Sequence, residues 1–352
     1  MFFILPFSVR KGKRFVTAIV FMSDQQNKCN GRGLSLLSGG LDSQLAICVL
    51  REQGVYVEAV VFSSPFFKID AAKKAAAHLG VTLHVVPFTR DILDLVESPR
   101  HGFGGAMNPC IDCHARMIHR AGEMMTERGF DFVATGEVLN QRPMSQTLRS
   151  LAQVAKDAGL GGCLLRPLSA LHLEPTLPEI EGVVDRNRLL DLNGRSRKPQ
   201  MELARTFGLV EYPSPAGGCR LTEKGFCRKL ADLKTHEGFA DERLVWLLLY
   251  GRHFRLPGGA KCIVGRDMRE NTALKEMRQE GDVLMHTVDV PGPAALLPRG
   301  GGPADIALAA SICATYGDRG DRQAAVVRVL AGTLSESSAP SLPRDHLSTW
   351  ML

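Results

Sequence analysis

Short apolar runs and amphipathic stretches alternate along the first 235 residues of the chain. Five of the apolar runs predict buried strands, at 34–37, 55–62, 81–86, 130–134 and 163–165. Helical spacing of apolar residues separates or follows them, at 43–53, 71–79, 112–128 and 198–207. Strands that alternate with helices predict an α/β fold with a doubly wound parallel sheet, whose ligands bind outside the carboxyl ends of the strands.

The pattern changes after about residue 240. Strands are predicted at 254–265, 282–288 and 324–330, and helices at 241–250, 271–279 and 303–316. This mixture predicts a smaller α+β domain. The expected organisation is therefore a disordered extension over 1–33, the α/β domain over 34–235, the α+β domain over 241–332 and a Ser/Pro-rich disordered tail over 333–352.

Composition narrows the class of protein. The net charge of +6 is compatible with a polyanionic partner but does not require one. The nine cysteines form no disulfide framework, which favours a reducing, cytoplasmic location. No apolar run reaches the roughly 18 residues that a membrane-spanning helix needs, so no membrane partner is expected.

The turn after the first predicted strand reads Ser-Gly-Gly-Leu-Asp-Ser. Its glycines let the backbone approach an anion closely, and the N–H groups and helix dipole that follow stabilise phosphate oxygens. The acidic Asp42 is explained if it shares Mg²⁺ with a pyrophosphate group, and the turn lacks the lysine of a Walker A loop. A glycine turn without a ligand is the alternative. The predicted phosphate-binding residues are Ser38, Gly39, Gly40, Leu41, Asp42 and Ser43.

Three of the cysteines are candidates for chemistry. Cys110 and Cys113 have C-x-x-C spacing just before a predicted helix, and Cys219 follows a Pro/Gly-rich turn. A helix N-terminus lowers the pKa of a thiol, which favours thiolate chemistry or metal ligation. Four interpretations stay open: a [4Fe-4S] cluster on Cys110, Cys113 and Cys219 with a free iron that holds sulfide, a persulfide and disulfide mechanism on Cys113 and Cys219, a zinc site completed by His114, or inert buried thiols.

The phosphate turn resembles that of the PP-loop ATP pyrophosphatases. Thr-Gly-Glu at 135–137, Ser-Gln-Thr at 145–147 and Leu-Arg-Pro-Leu at 165–168 are similar to segments of tRNA 4-thiouridine synthases. Asn-Pro at 108–109 with Cys113 resembles the 2-thiouridylases, and the additional Cys110 resembles the cluster-dependent branch of these enzymes. The resemblance covers roughly residues 34–225 and implies an ATP-dependent tRNA sulfurtransferase that forms AMP and pyrophosphate.

The same resemblance implies a mechanism. ATP lies over the phosphate turn with its adenine near Phe62 and Ser63, while backbone N–H groups and Mg²⁺ stabilise the leaving pyrophosphate. A uridine carbonyl oxygen attacks the α phosphate, and cluster-bound sulfide or a cysteine persulfide then displaces AMP. Cys113, Cys219 and Asp42 are the implied catalytic residues. The further implied ATP-site residues are Thr135, Gly136 and Glu137, with Gln141 and Gln146 as candidate contacts to the base or the nucleotide.

The C-terminal domain resembles the NFACT-R RNA-binding domain in the order of four motifs. They are Gly-Arg-Asp at 265–267, Asn271, Asp-x-x-x-His at 282–286 and Pro-Gly at 291–292. The resemblance implies tRNA as a partner, and basic side chains would contact its phosphates. For each such side chain, a solvated surface charge is the alternative. The predicted RNA-binding residues are Arg195, Arg197, Lys198, Lys261, Arg266 and Arg269.

Two departures from these families leave the substrate open. The segment before the phosphate turn is too short for the THUMP domain of 4-thiouridine synthases, and no rhodanese domain follows. The sulfur donor, either sulfide or a cysteine desulfurase, and a homodimeric state are expectations that rest on the resemblance. Three other functions remain: a PP-loop enzyme that adenylates a small molecule or donates sulfur in cofactor assembly, a non-enzymatic RNA-binding protein with a relic ATP site, and an ATP-dependent redox sensor.

Overall fold

The computed structural model describes residues 31–214, 218–318, 320 and 322–352. Most of the predicted N-terminal extension, residues 1–30, lies outside the described residues. So do residues 215–217 of the glycine turn before Cys219. No helix in the described residues is long and apolar enough to cross a membrane.

The first sheet has five parallel strands in the order β3-β2-β1-β4-β5, which confirms the predicted α/β fold. In the register of the central strand, Leu34 lies opposite Glu58 on one side and Val133 on the other. The strands are β1 (Arg32–Leu36), β2 (Tyr56–Ser63), β3 (Leu83–Pro87), β4 (Phe132–Ala134) and β5 (Leu164–Leu165).

Helices cover both faces of this sheet. Gly80 and Gly129 end α2 and α4 in the left-handed conformation that glycine adopts without a Cβ clash. The sequence pattern predicted α1, α2, α4 and α7 but missed α3, α5 and the short α6. The bounds are α1 (Leu41–Glu52), α2 (Asp70–Leu79), α3 (Thr89–Glu97), α4 (Cys110–Arg128), α5 (Leu148–Ala158), α6 (Leu177–Ile180) and α7 (Lys198–Thr206).

The hydrophobic core has one layer on each face of the sheet, because side chains alternate along a strand. On β2, Ala59 packs with α1, α2 and α7, whereas Val60 packs with α3, α4 and α5. The layer that contains Val60 continues through α8 (Lys224–His236) and α9 (Glu242–Leu247) to Leu296 in the second sheet. The two sheets therefore share one continuous apolar layer.

The second sheet is antiparallel, with the strand order β11-β10-β8-β9-β7-β6. The single strand predicted over 254–265 is a hairpin, because the turn between its strands closes with a hydrogen bond from the Leu256 N–H to the Ala260 carbonyl oxygen (2.9 Å). The elements are β6 (Arg252–Arg255), β7 (Lys261–Val264), α10 (Met268–Glu276), β8 (Val283–Thr287), β9 (Ala294–Leu297), α11 (Pro303–Thr315), β10 (Ala324–Ala331), β11 (Thr333–Pro340) and α12 (Arg344–Leu347).

The structure corrects the expected disordered tail. Thr333 to Pro340 form β11, which pairs along its whole length with β10. Beyond it, Leu347 of α12 is fully buried, and Met351 forms an isolated bridge with Phe254 of β6. The second domain therefore extends past residue 332, because residues after that point complete its sheet and its core.

Buried charges join α8 to the second sheet. Asp232 of α8 lies 2.6 Å from the Arg255 guanidinium and 2.6 Å from the Lys261 ammonium. Glu237, just after α8, pairs with the same arginine at 2.7 Å. Because all four side chains are at most 14% exposed, the contact is screened little by solvent.

Candidate functional site

The phosphate turn connects β1 to α1 at the carboxyl edge of the first sheet. Gly39 has φ of +81°, and a Cβ there would lie 2.3 Å from the backbone of Ala71 in α2. Only glycine fits this position. Gly40 is the N-cap of α1 and has no side chain to cover the free N–H groups of the first helical turn. The turn therefore leaves backbone donors and the positive end of a helix dipole for an anion.

Two serine hydroxyls flank these donors. The Ser43 Oγ donates to the Gly40 carbonyl oxygen at 2.9 Å and lies 3.2 Å from the Ser38 Oγ. The Gly40 N–H donates to the Ser38 Oγ at 3.3 Å. These contacts preserve the shape of the turn, and both hydroxyls can exchange them for phosphate oxygens.

Asp42 lies in the first turn of α1, and one of its oxygens is satisfied. The Gln141 Nε2 donates to the Asp42 Oδ2 at 2.8 Å. The Asp42 Oδ1 is buried and has no hydrogen-bond partner among the described residues. Gly136 packs against the Asp42 backbone so closely that a Cβ on it would lie 2.6 Å away. A buried carboxylate oxygen without a partner fits the chemistry of a Mg²⁺ ligand.

Glu137 follows β4 and is the centre of a buried polar network. Its carboxylate accepts hydrogen bonds from the Arg166 Nε at 2.9 Å and the Thr135 Oγ1 at 3.1 Å, and the His114 Nδ1 lies 2.9 Å away. Burial alone would raise the pKa of Glu137, but Arg166 and His114 outweigh it and lower the pKa to about 2. Sequence reasoning placed Glu137 at ATP but missed Arg166, whose signal was the Leu-Arg-Pro-Leu segment after β5.

The Phe62 ring is not open to a ligand, so an adenine contact at this residue stays a prediction for its backbone only. The sequence placed Phe62 beside adenine, but its side chain is 4% exposed and packs against the Phe88 ring with centroids 5.0 Å apart. Burial in the core leaves this ring no face for a base. Ser63, the last residue of β2, is partly exposed at the carboxyl edge and stays a prediction.

The three candidate cysteines come from distant parts of the chain to the same edge. Cys110 and Cys113 lie in the first turn of α4, whose N-terminus faces the carboxyl edge because the helix runs antiparallel to the strands. Cys219 forms an isolated bridge with Phe67, four residues after β2, supported by a hydrogen bond from the Arg220 N–H to the Phe66 carbonyl oxygen (2.8 Å). Cys113 and Cys219 pack against the same apolar layer.

The expectation of a lowered thiol pKa is wrong for this pair. Burial raises the pKa of Cys113 well above its usual value, and the neighbouring thiols of Cys219 and Cys110 raise it further. Burial also raises the pKa of Cys219 to about 11. Desolvation is the main cause of both raised pKa values, and it favours the protonated thiol.

The cysteines do not form a metal-binding arrangement in the described part of the chain. No three Cys, His, Asp or Glu side chains there are placed so that they could hold one metal ion. The His114 Nδ1, considered for zinc, is instead held by Glu137. The eight described cysteines are all free thiols. Among the described residues, the three thiols therefore lie near one edge of the sheet without the geometry of a cluster-binding site.

The predicted RNA-binding residues differ in exposure and in whether they form ion pairs. Arg195, Lys198 and Arg269 are exposed and form no ion pair with another described residue, while Arg197 is half-buried. Arg266 is exposed, but its Nε lies 3.0 Å from the Glu270 carboxylate. Arg195, Lys198 and Arg269 are thus the cations of this set that remain available for phosphate contacts.

The prediction that Lys261 binds RNA is wrong. Only 4% of its side chain is exposed, and its ammonium lies 2.6 Å from Asp232. Because the lysine is sealed in the contact between α8 and the second sheet, it is not presented to an RNA phosphate.

These features define the class: an α/β protein with a PP-loop-type phosphate turn, joined to a second, antiparallel domain. Residues 28–175 match the family model described as "Thiamine biosynthesis protein (ThiI)". Residues 251–351 match the one described as "NFACT protein RNA binding domain". The resemblance inferred from the motifs is thereby confirmed for both domains. Cys219 lies between the matched segments, so its place at the site rests on the Phe67 bridge.

Curated relatives named "Probable tRNA sulfurtransferase" match part of the chain. The protein from Caldanaerobacter subterraneus subsp. tengcongensis is 36% identical over 131 residues, which are 35% of this chain and 33% of that protein. One from a Thermoanaerobacter species is 34% identical over 148 residues, which are 40% of this chain and 37% of that protein. The chain thus spans about a third of the length of these relatives.

A solved structure described as a 4-thiouridine synthetase–RNA complex with bound ATP also aligns with the chain. The identity is 21%, the TM-score is 0.34, and the alignment covers 51% of this chain and 52% of that one. A similarity of this size is too low to bear on function.

Proposed function

We propose that this chain is an ATP-dependent tRNA sulfurtransferase, which adenylates a uridine carbonyl oxygen and replaces that oxygen with sulfur. The observation that carries the proposal is that the candidate phosphate-binding turn and the candidate sulfur-carrying cysteines lie at the same edge of the sheet. The phosphate turn lies there, and the hydrogen bond from His114 to Glu137 (2.9 Å) ties the cysteine-bearing helix α4 to the segment that packs on Asp42. The sulfurtransferase relatives support the same reading.

In the activation step, this chain supplies anion binding and orientation. The free N–H groups at the start of α1, with the hydroxyls of Ser38 and Ser43, hold the phosphates of ATP. Asp42 would hold Mg²⁺, which neutralises charge on the leaving pyrophosphate. The uridine oxygen forms a bond to the α phosphorus, and the bond from that phosphorus to pyrophosphate breaks.

In the sulfur-transfer step, one thiol of the Cys113–Cys219 pair carries sulfur as a persulfide. It receives the outer sulfur from the persulfide of a cysteine desulfurase, whose own cysteine is released as a thiol. The outer sulfur attacks the adenylated carbon, the carbon–oxygen bond breaks, and AMP leaves with the electron pair. The second thiol gives up its proton and attacks the inner sulfur. The sulfur–sulfur bond of the persulfide then breaks to release the thiouridine, and a dithiol reductant reopens the resulting Cys113–Cys219 disulfide.

Recognition of tRNA is assigned to the basic loop before α7 and to the second domain. Arg195 and Lys198 are exposed cations suited to phosphate contacts. Replacing each by alanine should weaken tRNA binding and reduce the slope of log affinity against log salt by about 0.7–0.9 per lost contact. Lys74→Ala, on the exposed side of α2, is the matched control and should leave affinity and slope unchanged.

The reaction is tested with purified protein, unmodified tRNA, ATP, a cysteine desulfurase with cysteine as the sulfur source, and a dithiol reductant. Thionucleosides are measured by mass spectrometry, and first-turnover pyrophosphate release is measured separately. Asp42→Asn should lose both signals, because ATP is no longer activated. Cys113→Ser and Cys219→Ser should keep pyrophosphate release but make no thiouridine.

Cys163→Ser is the matched control, since Cys163 is also partly exposed but lies beside the amino end of β5, away from the site. It should retain both signals. Thiolation that survives Cys113→Ser would overturn the cysteine roles. Pyrophosphate release that requires a small metabolite and ignores tRNA would replace the proposal with the small-molecule alternative.

The [4Fe-4S] cluster and the homodimer stay predictions. Protein purified without oxygen should be assayed for iron and acid-labile sulfide, with Cys110→Ala as the comparison. Bound iron that this substitution removes would support the cluster and displace the persulfide step. Light scattering at two protein concentrations measures the oligomeric state.

A further inference from the structure

Two side-chain amides, that of the buried Gln200 and that of the half-buried Gln141, form a chain of hydrogen bonds that ends on Asp42. The Gln200 Nε2, in the first turn of α7, donates to the Gln141 Oε1 at 3.0 Å. The Gln141 Nε2 donates to the Asp42 Oδ2 at 2.8 Å. The three residues are far apart in sequence, and Gln200 is only 1% exposed. The fold therefore brings three separate segments to one carboxylate.

The orientation of both amides follows from their partners. An ionised carboxylate only accepts hydrogen bonds, so Gln141 must turn its NH₂ group toward Asp42. Its carbonyl oxygen then faces α7, where it needs a donor, and Gln200 supplies one. At position 141 a glutamine matches this sequence, because it donates on one side and accepts on the other, which neither a carboxylate nor an ammonium could do.

The two carboxylate oxygens of Asp42 differ: one accepts a hydrogen bond from the amide chain, and the other has no hydrogen-bond partner among the described residues. The Asp42 Oδ2 is held by Gln141, whereas the buried Oδ1 has no partner in the described part of the chain. Burying a carboxylate oxygen without a partner is unfavourable unless a ligand completes it. Groups that orient a metal ligand in this way commonly change metal affinity when they are removed.

We propose that Gln141 and Gln200 are positioning residues that hold the Asp42 carboxylate for the divalent cation bound with ATP. This inference rests on the proposed function, because it takes Asp42 as the metal ligand. It reassigns Gln141, which the sequence offered as a contact to the base or the nucleotide. Gln200 lies two residues beyond Lys198, so the helix that completes the chain begins at the candidate RNA-binding loop.

The test measures metal binding rather than turnover. Mn²⁺ affinity is measured by electron paramagnetic resonance in the presence of α,β-methylene-ATP, and affinity for the metal-free analogue is measured by calorimetry. Gln141→Ala should weaken Mn²⁺ binding about 10- to 100-fold. Gln200→Ala should weaken it in the same direction by a smaller factor. Both should bind the metal-free analogue like wild type, a separation that general loss of structure would not give.

The chain offers a matched control in Gln153, whose Nε2 donates to the Asp157 carboxylate at 3.0 Å on α5, away from the phosphate turn. Gln153→Ala should bind Mn²⁺ like wild type. The double variant Gln141→Ala/Gln200→Ala should bind no more weakly than Gln141→Ala alone, because both residues act through one carboxylate.

Asp42→Asn separates the two hypotheses. If it binds Mn²⁺ as wild type does, Asp42 is not a metal ligand, and the metal-binding part of the proposed function fails. If Asp42→Asn loses the metal while both glutamine variants keep wild-type affinity, the proposed function stands and the positioning role is refuted.

Discussion

The ion pair between Glu137 and Arg166 gives a prediction whose size follows from the structure. Glu137→Gln removes the charge and keeps the shape, leaving Arg166, itself 6% exposed, without its carboxylate. The pKa of Glu137 is lowered from 4.5 to about 2. At about 1.4 kcal/mol per pKa unit, the charged form contributes roughly 3 kcal/mol to stability at pH 7. We expect Glu137→Gln to lower the free energy of unfolding by about that amount.

The pH dependence has a definite sign. Because the pKa is lower in the folded protein, the stabilisation is fully present above the unfolded value of 4.5 and is lost as the pH falls toward about 2. By pH 3, about 2 kcal/mol of it should be gone. The difference in unfolding free energy between wild type and Glu137→Gln should therefore shrink between pH 5 and pH 3.

Urea unfolding at several pH values, followed by circular dichroism, measures this difference. Glu127→Gln, an exposed carboxylate near the end of α4, is the control and should change stability little at any pH. A Glu137→Gln difference that stays constant from pH 7 to pH 3 would refute the reasoning, because the loss would then be independent of charge.

Three further predictions come from other contacts. Gly39→Ala should lower the melting temperature strongly because its Cβ has no space, whereas Gly40→Ala, with its nearest atom at 3.4 Å, should be nearly neutral in thermal unfolding. Asp232→Ala removes the carboxylate that pairs with the buried Lys261 and leaves Arg255 with Glu237 alone, so it should lower the free energy of unfolding by about 3 kcal/mol in urea titrations. Burial raises the pKa of Cys313 to about 12, so mass spectrometry after native alkylation at pH 8 should find it unmodified while the partly exposed Cys163 is labelled.

The sheet of the first domain was predictable because its signals are local. Apolar runs of strand length alternate with helical spacing, and glycines such as Gly80 mark where helices end. These signals specified all five parallel strands. They failed for α3, α5 and the short α6, and for β6 and β7, where the hairpin was read as one strand.

The interior of the site was not predictable, because its partners are distant in sequence. Nothing local pairs Glu137 with both Arg166 and His114, or joins Gln200 to Gln141. The same limit explains Lys261, since its burial depends on Asp232 in another domain. Residue type identified the chemistry near the site, but only the fold determines which groups stay free for a ligand.

The serine-rich strand β11 forms one edge of the second sheet, where strands of other copies of the protein could add. An edge strand exposes unpaired backbone groups that can recruit a strand from another molecule. All but one of the β11 side chains are exposed, Glu336 places a charge on this edge, and the strand ends at Pro340. Serine, a charge and a proline discourage strand addition. The composition that resembled a disordered tail is thus also what keeps a six-stranded sheet from growing into an aggregate.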